Sequence, residues 1–273
     1  MFQPNDYQFL SVYDSPLQAI ENLEVLGLTH PKPVEKALER YNSLEGLSPT
    51  YPKTDLLNTA SQIEKVVNDL TDYKAKQEHF HSALIEIASR LALELMIAAR
   101  RSGSEYLSQI KTMVEPYTSQ YLESVENLNI SSEFSADDVI TFDAETKQRY
   151  DQLREAATGL ASSVALVRSL SEATEEVFDN ERPHLSIVRP LDLDAYLALE
   201  RVRKDYQSQA YTCLMPWIGH LLECGFSIEL GVFSPAEVAE LNAEYAAQLQ
   251  GSALAERSRE IYARLGAYAR IRH

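Results

Sequence analysis

The sequence predicts an all-α protein, an elongated antiparallel bundle of long helices with coiled-coil-like seams and room for a tiny β-ribbon at one end. Three observations carry this reading. Gly is scarce, 9 in 273 residues, whereas all-β folds consume it at turns. No Gly or Pro interrupts residues 54–102. Through that stretch apolar residues recur at alternating steps of four and three. The stripe reads Leu56, Ala60, Ile63, Val67, Leu70, Lys74, Gln77, His81, Leu84, Ala88, Leu91, Leu95 and Ala98. A sustained stripe of this kind is a coiled-coil seam. At 1.5 Å per residue the helix would be ~70 Å long.

The other elements follow in chain order. Ser15-Pro16-Leu17-Gln18 has the pattern of a capping box with Pro at the first helical position, and Gly27 is a natural stop. A short helix follows Pro33, with Val34, Leu38 and Tyr41 on one face, before Pro49 and Pro52 break the chain. Residues 1–53 thus read as a small helical module, 54–251 as the long-helix bundle and 252–273 as a basic C-terminal helix. After Gly103, Tyr106, Leu107, Ile110, Met113 and Val114 supply the apolar face of a helix that Pro116 should kink or divide. Asp143 is the expected N-cap of a second long helix, with Tyr150, Leu153, Ala157, Leu160, Val164 and Val167 as its seam. Asp192 opens the next helix, Pro216 interrupts it and Gly225 ends it. Ser234-Pro235-Ala236-Glu237 is a second capping box, and one more helix closes the chain.

Three short segments lie between helices: 138–142, 184–188 and 226–233. In the last, Phe226, Ile228, Leu230 and Val232 alternate with Ser227, Glu229 and Gly231, a strand pattern. A helix of ~55 Å would part the first segment from the second. If the following helix returns, the first and third can pair as a ribbon. The alternative is extended loop with buried side chains.

Composition narrows the function classes. Hydrophobic residues make up 45% and charged residues 24%, ordinary for a folded chain. The net charge of −16 repels phosphate and argues against nucleic acid as a partner. The positive charge gathers at the C-terminal end, where Arg257, Arg259, Arg264, Arg270 and Arg272 face only Glu256 and Glu260. That end can dock on an acidic partner or fold back on the acidic body. Residues 1–10 have neither a basic start nor an apolar core, and the apolar run 83–99 carries Glu86, Arg90 and Glu94. A cytoplasmic protein with no membrane contact is therefore expected. Cys213 and Cys224 match no metal spacing and read as buried thiols.

Candidate chemistry is sparse. Lys74, Gln77 and His81 interrupt the long seam, where they either face solvent or fix register. Glu78-x-x-His81 has the spacing of carboxylate-bridged di-iron helices, so Glu78 and His81 are the candidate metal ligands. Glu181-x-x-His184 repeats the spacing, but Pro183 sits inside it. Asp137-Asp138 reads as a surface pair or helix cap, His220-x-x-Glu223 as a helix-surface pair and Trp217 as core. No phosphate loop and no nucleophile elbow are present, and no cofactor is expected. Fifteen tyrosines suit an interface or the edges of a thin bundle.

The expectation is a non-enzymatic scaffold or adaptor that acts through protein–protein contacts or self-association of its helices. Its candidate partner-binding residues are Arg257, Arg259, Arg264, Phe226, Ile228 and Leu230. The alternatives are a helical-bundle metalloenzyme around Glu78 and His81, and a membrane-active bundle inserting 226–233.

Overall fold

A computed structural model describes residues 14–47, 51, 60–128, 140–206, 215–249 and 254–271. Among them are nine α-helices and one two-stranded ribbon, an all-α fold. The chain divides into two compact units. One comprises residues 1–104 with 172–175, the other 105–171 with 176–273.

In the first unit, α1 (Asp14–Val25) and α2 (Lys32–Asn42) pack against α3 (Ala60–Arg101). Helix α1 starts earlier than the capping-box pattern implied, so Ser15 lies in its first turn. Its end is the expected one. Gly27 adopts φ 92. Its N–H reaches Glu24 O at 2.9 Å and that of Leu28 reaches Leu23 O at 3.0 Å. This is a Schellman stop, with Leu23 and Leu28 both buried beside it.

Helix lengths decide how much of α3 is covered. Helices α1 and α2 have 12 and 11 residues against 42 in α3, or about 18 and 17 Å against about 63 Å. They cover only its last turns. There Ala88, Ala92, Leu95, Met96 and Ala99 are buried. The expected stripe had Leu91 and Ala98 instead, and both are half-buried. The buried face has turned toward Ala92 and Ala99. Arg40 lies 3.5 Å from Glu94 alongside this contact.

In the second unit, α4 (Gly103–Leu128) and α5 (Ala144–Thr174) run antiparallel. The Gln120 side chain donates to Gln152 O at 3.2 Å, while Tyr117 lies over Gly159. Asp143 caps α5 as expected, accepting from Thr146 N–H at 2.8 Å. Pro116, however, neither ends nor divides α4. It sits on the exposed face, while Ile110, Val114, Tyr121 and Val125 on either side of it are buried on the other. Packing on that face outweighs the one hydrogen bond that proline removes.

Beyond α5 a 3-10 turn (Pro183–Ser186) leads into β1 (Val188–Pro190). Then come α6 (Leu193–Tyr206), α7 (Pro216–Glu223), β2 (Ile228–Leu230), α8 (Pro235–Gln248) and α9 (Leu254–Ile271). Asp192 caps α6 through Ala195 N–H at 2.7 Å. Gly225, at φ 72, stops α7 with a second Schellman pair, Gly225 N–H to Leu222 O and Phe226 N–H to Leu221 O. Ser234 and Glu237 form the expected reciprocal capping box. Helix α6 is central here, packing on α7, α8, α9 and β1. It buries Tyr196, Ala198, Leu199 and Val202.

The ribbon pairs segments other than those the geometric argument favoured. Strands β1 and β2 are antiparallel, with Val188 opposite Leu230, Arg189 opposite Glu229 and Pro190 opposite Ile228. Residues 140 and 141 of the first candidate segment are helical, and 138–139 lie outside the described residues. The third segment returns to the second instead, so that β2 lies beside β1.

The α4–α5 contact is testable. A Cβ at Gly159 would lie 2.4 Å from Tyr117 Cγ, near the root of the ring where it cannot swing away. Gly159→Ala should lower stability by about 1–3 kcal/mol, read from thermal or urea unfolding. In a Tyr117→Ala background the same change should cost almost nothing. An equal loss in both backgrounds would show that the ring is not the constraint.

Candidate functional site

A polar cluster in the second unit lies where the loop before β1 meets α6 and α8. The sequence builds it from a turn. Asp179 Oδ1 accepts the N–H groups of Glu181 and Arg182, both at 3.0 Å, an Asx-type turn that satisfies irregular backbone. Its other oxygen accepts from Asn242 Nδ2 on α8 at 2.9 Å. Asn242 Oδ1 in turn accepts from Arg182 at 3.3 Å and from the Tyr196 hydroxyl at 3.4 Å.

Glu200 is the focus of charge. Arg182 Nε stands 3.7 Å from Oε1, Arg203 4.0 Å from Oε2, and His184 Nε2 3.4 Å from Oε1. The 3-10 turn delivers His184 to this point and buries it, 6% exposed, edge-on to Trp217. Neither His184 nitrogen, nor Glu200 Oε1, has a hydrogen-bond partner among the described residues, so the two meet as a close charge-type contact. Burial holds the His184 imidazole below its ordinary pKa, with Arg203 adding to the effect and Glu200 opposing it. Burial pushes the Glu200 carboxyl up, but His184, Arg203 and Arg182 together outweigh it and leave it below the usual carboxylate range. At neutral pH the cluster is a neutral imidazole beside a carboxylate held between two guanidiniums. The adjacent cleft, bordered by Val167, Phe178, Asp179, Arg182 and Val238, has room for about one water molecule.

The predicted site residues fall elsewhere. His81 is half-buried on α3, and the side chain of Glu78 lies outside the described residues. Among the described residues no three metal-ligating side chains come together. Cys224 is a buried thiol pushed up to about 11 by burial, with Sγ 3.8 Å from His220 Nε2. Cys213 and Asp137-Asp138 lie outside the described residues. Trp217 is core. Arg257 forms an ion pair with Asp194. Arg264 donates to Gly225 O at 2.8 Å and stacks over the buried Phe226 at 4.3 Å. Arg259 is exposed, and Ile228 and Leu230 are half-buried in β2. Among the described residues no helix is long and apolar enough to cross a membrane.

Sequence reasoning singled out His184 through its spacing from Glu181, but the carboxylate it meets is Glu200. The available signal was the pair Glu200 and Arg203, three residues apart on a helix whose neighbouring face is apolar. Nothing local linked that pair to Asp179 or Asn242. Fold and cluster together define an all-α protein with a short ribbon and a charged internal junction. No protein-family model, curated protein or solved structure matches the chain.

The junction predicts an acid limb of stability. For His184, the unfolded chain takes up a proton near pH 6.5 while the folded chain resists it. That contribution is complete above the unfolded value and falls as pH drops below it. For Glu200, whose folded value is lowered, the contribution is present above the usual carboxylate range and is lost as pH falls through the folded value. Melting temperature should therefore fall between pH 7 and 5 and again at lower pH. His184→Gln should flatten the upper stage and, because His184 helps to hold the Glu200 carboxyl low, weaken the lower. An unchanged upper stage in that variant would assign it to other groups.

Proposed function

We propose that this chain is a non-enzymatic interaction protein that works through protein–protein contacts, and that the first part of α3 is the surface it uses. One observation supports the reading. From Ser61 to Ile87 no described side chain of α3 is buried. Ile63 is 48% and Val67 56% exposed. Beside them Val66, Leu70, Tyr73, Phe80 and Leu84 are half-buried. Their spacing of four, three, seven and four continues a heptad-like stripe. Isolated helices draw little stability from propensity alone and need an apolar face covered. A second amphipathic helix, from another copy or another protein, fits such a stripe. Lys74, Gln77 and His81 within it would set the register of the partner.

The test is Ile63→Glu with Val67→Glu. Both side chains are already open to water, so the melting temperature should hold. Light scattering over a concentration range, together with capture from lysate, should show association lost or weakened at least tenfold. Solution mass and captured proteins that are identical in the wild-type chain and the variant would overturn the reading.

A further inference from the structure

Beyond the helix-mediated contacts, we infer that the outer edge of β2 is a docking site for an extended peptide segment carrying a lysine or arginine between two apolar residues. The ribbon's own hydrogen bonds fix which groups point outward. Leu191 N–H reaches Ser227 O at 2.9 Å and Gly231 N–H reaches Ile187 O at 3.0 Å. With Arg189 opposite Glu229, the bonded pairs are 187 with 231, 189 with 229 and 191 with 227. In an antiparallel ladder the alternate pairs are not hydrogen-bonded, and their N–H and C=O groups turn away from the partner strand. Those pairs are Val188 with Leu230 and Pro190 with Ile228.

Strand β1 confirms the assignment. Pro190, which has no N–H to offer, occupies an outward position, and its carbonyl accepts from the Tyr245 hydroxyl at 3.0 Å on the side away from β2. The outer edge of β1 is thus covered. On β2 the outward groups belong to Ile228 and Leu230, and among the described residues their N–H and C=O groups have no partner. Two donors and two acceptors stand in line, which is what strand addition uses.

Glu229 selects the occupant. It is exposed, and its side chain lies on the opposite face from those of Ile228 and Leu230. An incoming antiparallel strand places one residue directly opposite it in a close, non-hydrogen-bonded pair. If that strand were β2 of a second copy, Glu229 would face Glu229, and like charges directly opposite disfavour pairing. A lysine or arginine there is favoured, and the chain's net charge of −16 attracts it from a distance. The residues on either side of the cation meet Ile228 and Leu230, so they should be apolar and β-branched.

The experiment is an amide-resolved titration of the full chain with acetyl-Thr-Val-Lys-Val-Thr-amide and its Glu-centred counterpart. The Lys peptide should shift the Ile228 and Leu230 amides, slow their hydrogen exchange, and bind about three- to tenfold more tightly than the Glu peptide. Glu229→Lys, a change at an exposed position, should reverse that order. Three results would overturn the proposal: no change at these amides at millimolar peptide, equal binding of both peptides, or the same preference in the Glu229→Lys chain. The helix-face variant Ile63→Glu with Val67→Glu should bind the Lys peptide unchanged, which keeps the two surfaces separable.

Discussion

Glu200 carries a constraint on which much of the second unit depends. Its carboxylate is mostly withdrawn from water, and a carboxylate so placed is costly unless cations and hydrogen bonds surround it. Arg182 arrives from the loop, Arg203 from one turn along the same helix, and His184 from the 3-10 turn. Satisfying Glu200 therefore fixes the path of residues 179–187. That path in turn presents Ile187 and Ser186 carbonyls to Gly231 and Phe233. The ribbon and the seat of α8 against Asp179 both adjoin this charged junction, while α6 takes its start from the Asp192 cap. Few of these links are strong singly, and several stand at 3.3–4.0 Å. Their value lies in shared members, since a side chain already ordered by one partner loses less freedom to the next.

Helix ends form the second layer of control. Gly27 and Gly225 take the left-handed conformation that an L side chain resists. Each closes a Schellman pair that directs the chain into its next element. Two other left-handed positions are not glycine. Glu175 follows the last residue of α5, and Met215 precedes α7. A side chain there costs about 1–2 kcal/mol, so something nearby must hold it. In the first unit Arg100 does so at Glu175, donating to Thr174 O at 3.1 Å and pairing with the Glu175 carboxylate. In the second, the buried Tyr121 donates its hydroxyl to Met215 O at 2.6 Å.

The contrast explains what could be read from sequence. Caps and stops are local. Asp143, Asp192, Gly27, Gly225 and the Ser234–Glu237 box are legible because their partners lie within five residues. The all-α class was legible for the same reason. What depends on distant partners was not. The phase of the buried face of α3 is set by what packs on it from elsewhere in the chain, and there Ala92 and Ala99 replaced Leu91 and Ala98. Pro116 is tolerated because its face is exposed, which only the packing of α4 reveals. The ribbon's true pairing joins segments far apart along the chain, which no local signal links. Glu200 sits 16 residues from His184 along the chain, and no spacing rule spans that interval. The spacing of Glu78 and His81 is a local signal of another kind. A local motif acquires chemistry only if other helices supply matching ligands.

Two kinds of unfilled valence remain, and they differ physically. On α3 the exposed groups among the described residues are apolar side chains such as Ile63 and Val67, and burying such groups gains from water release and depends little on salt. On β2 they are backbone amides and carbonyls, which any extended chain can meet, so that a side chain must supply selectivity. Glu229 supplies it with one charge acting in two directions. It opposes pairing with an identical edge, the usual hazard of an open strand, and it favours a cation in the same place. Shortness acts with it. A ladder of only three residues offers too few bonds, at about 0.5–1.5 kcal/mol each, to hold an arbitrary strand. The same features that protect the edge therefore make it selective. A longer or uncharged edge would bind more tightly and discriminate less.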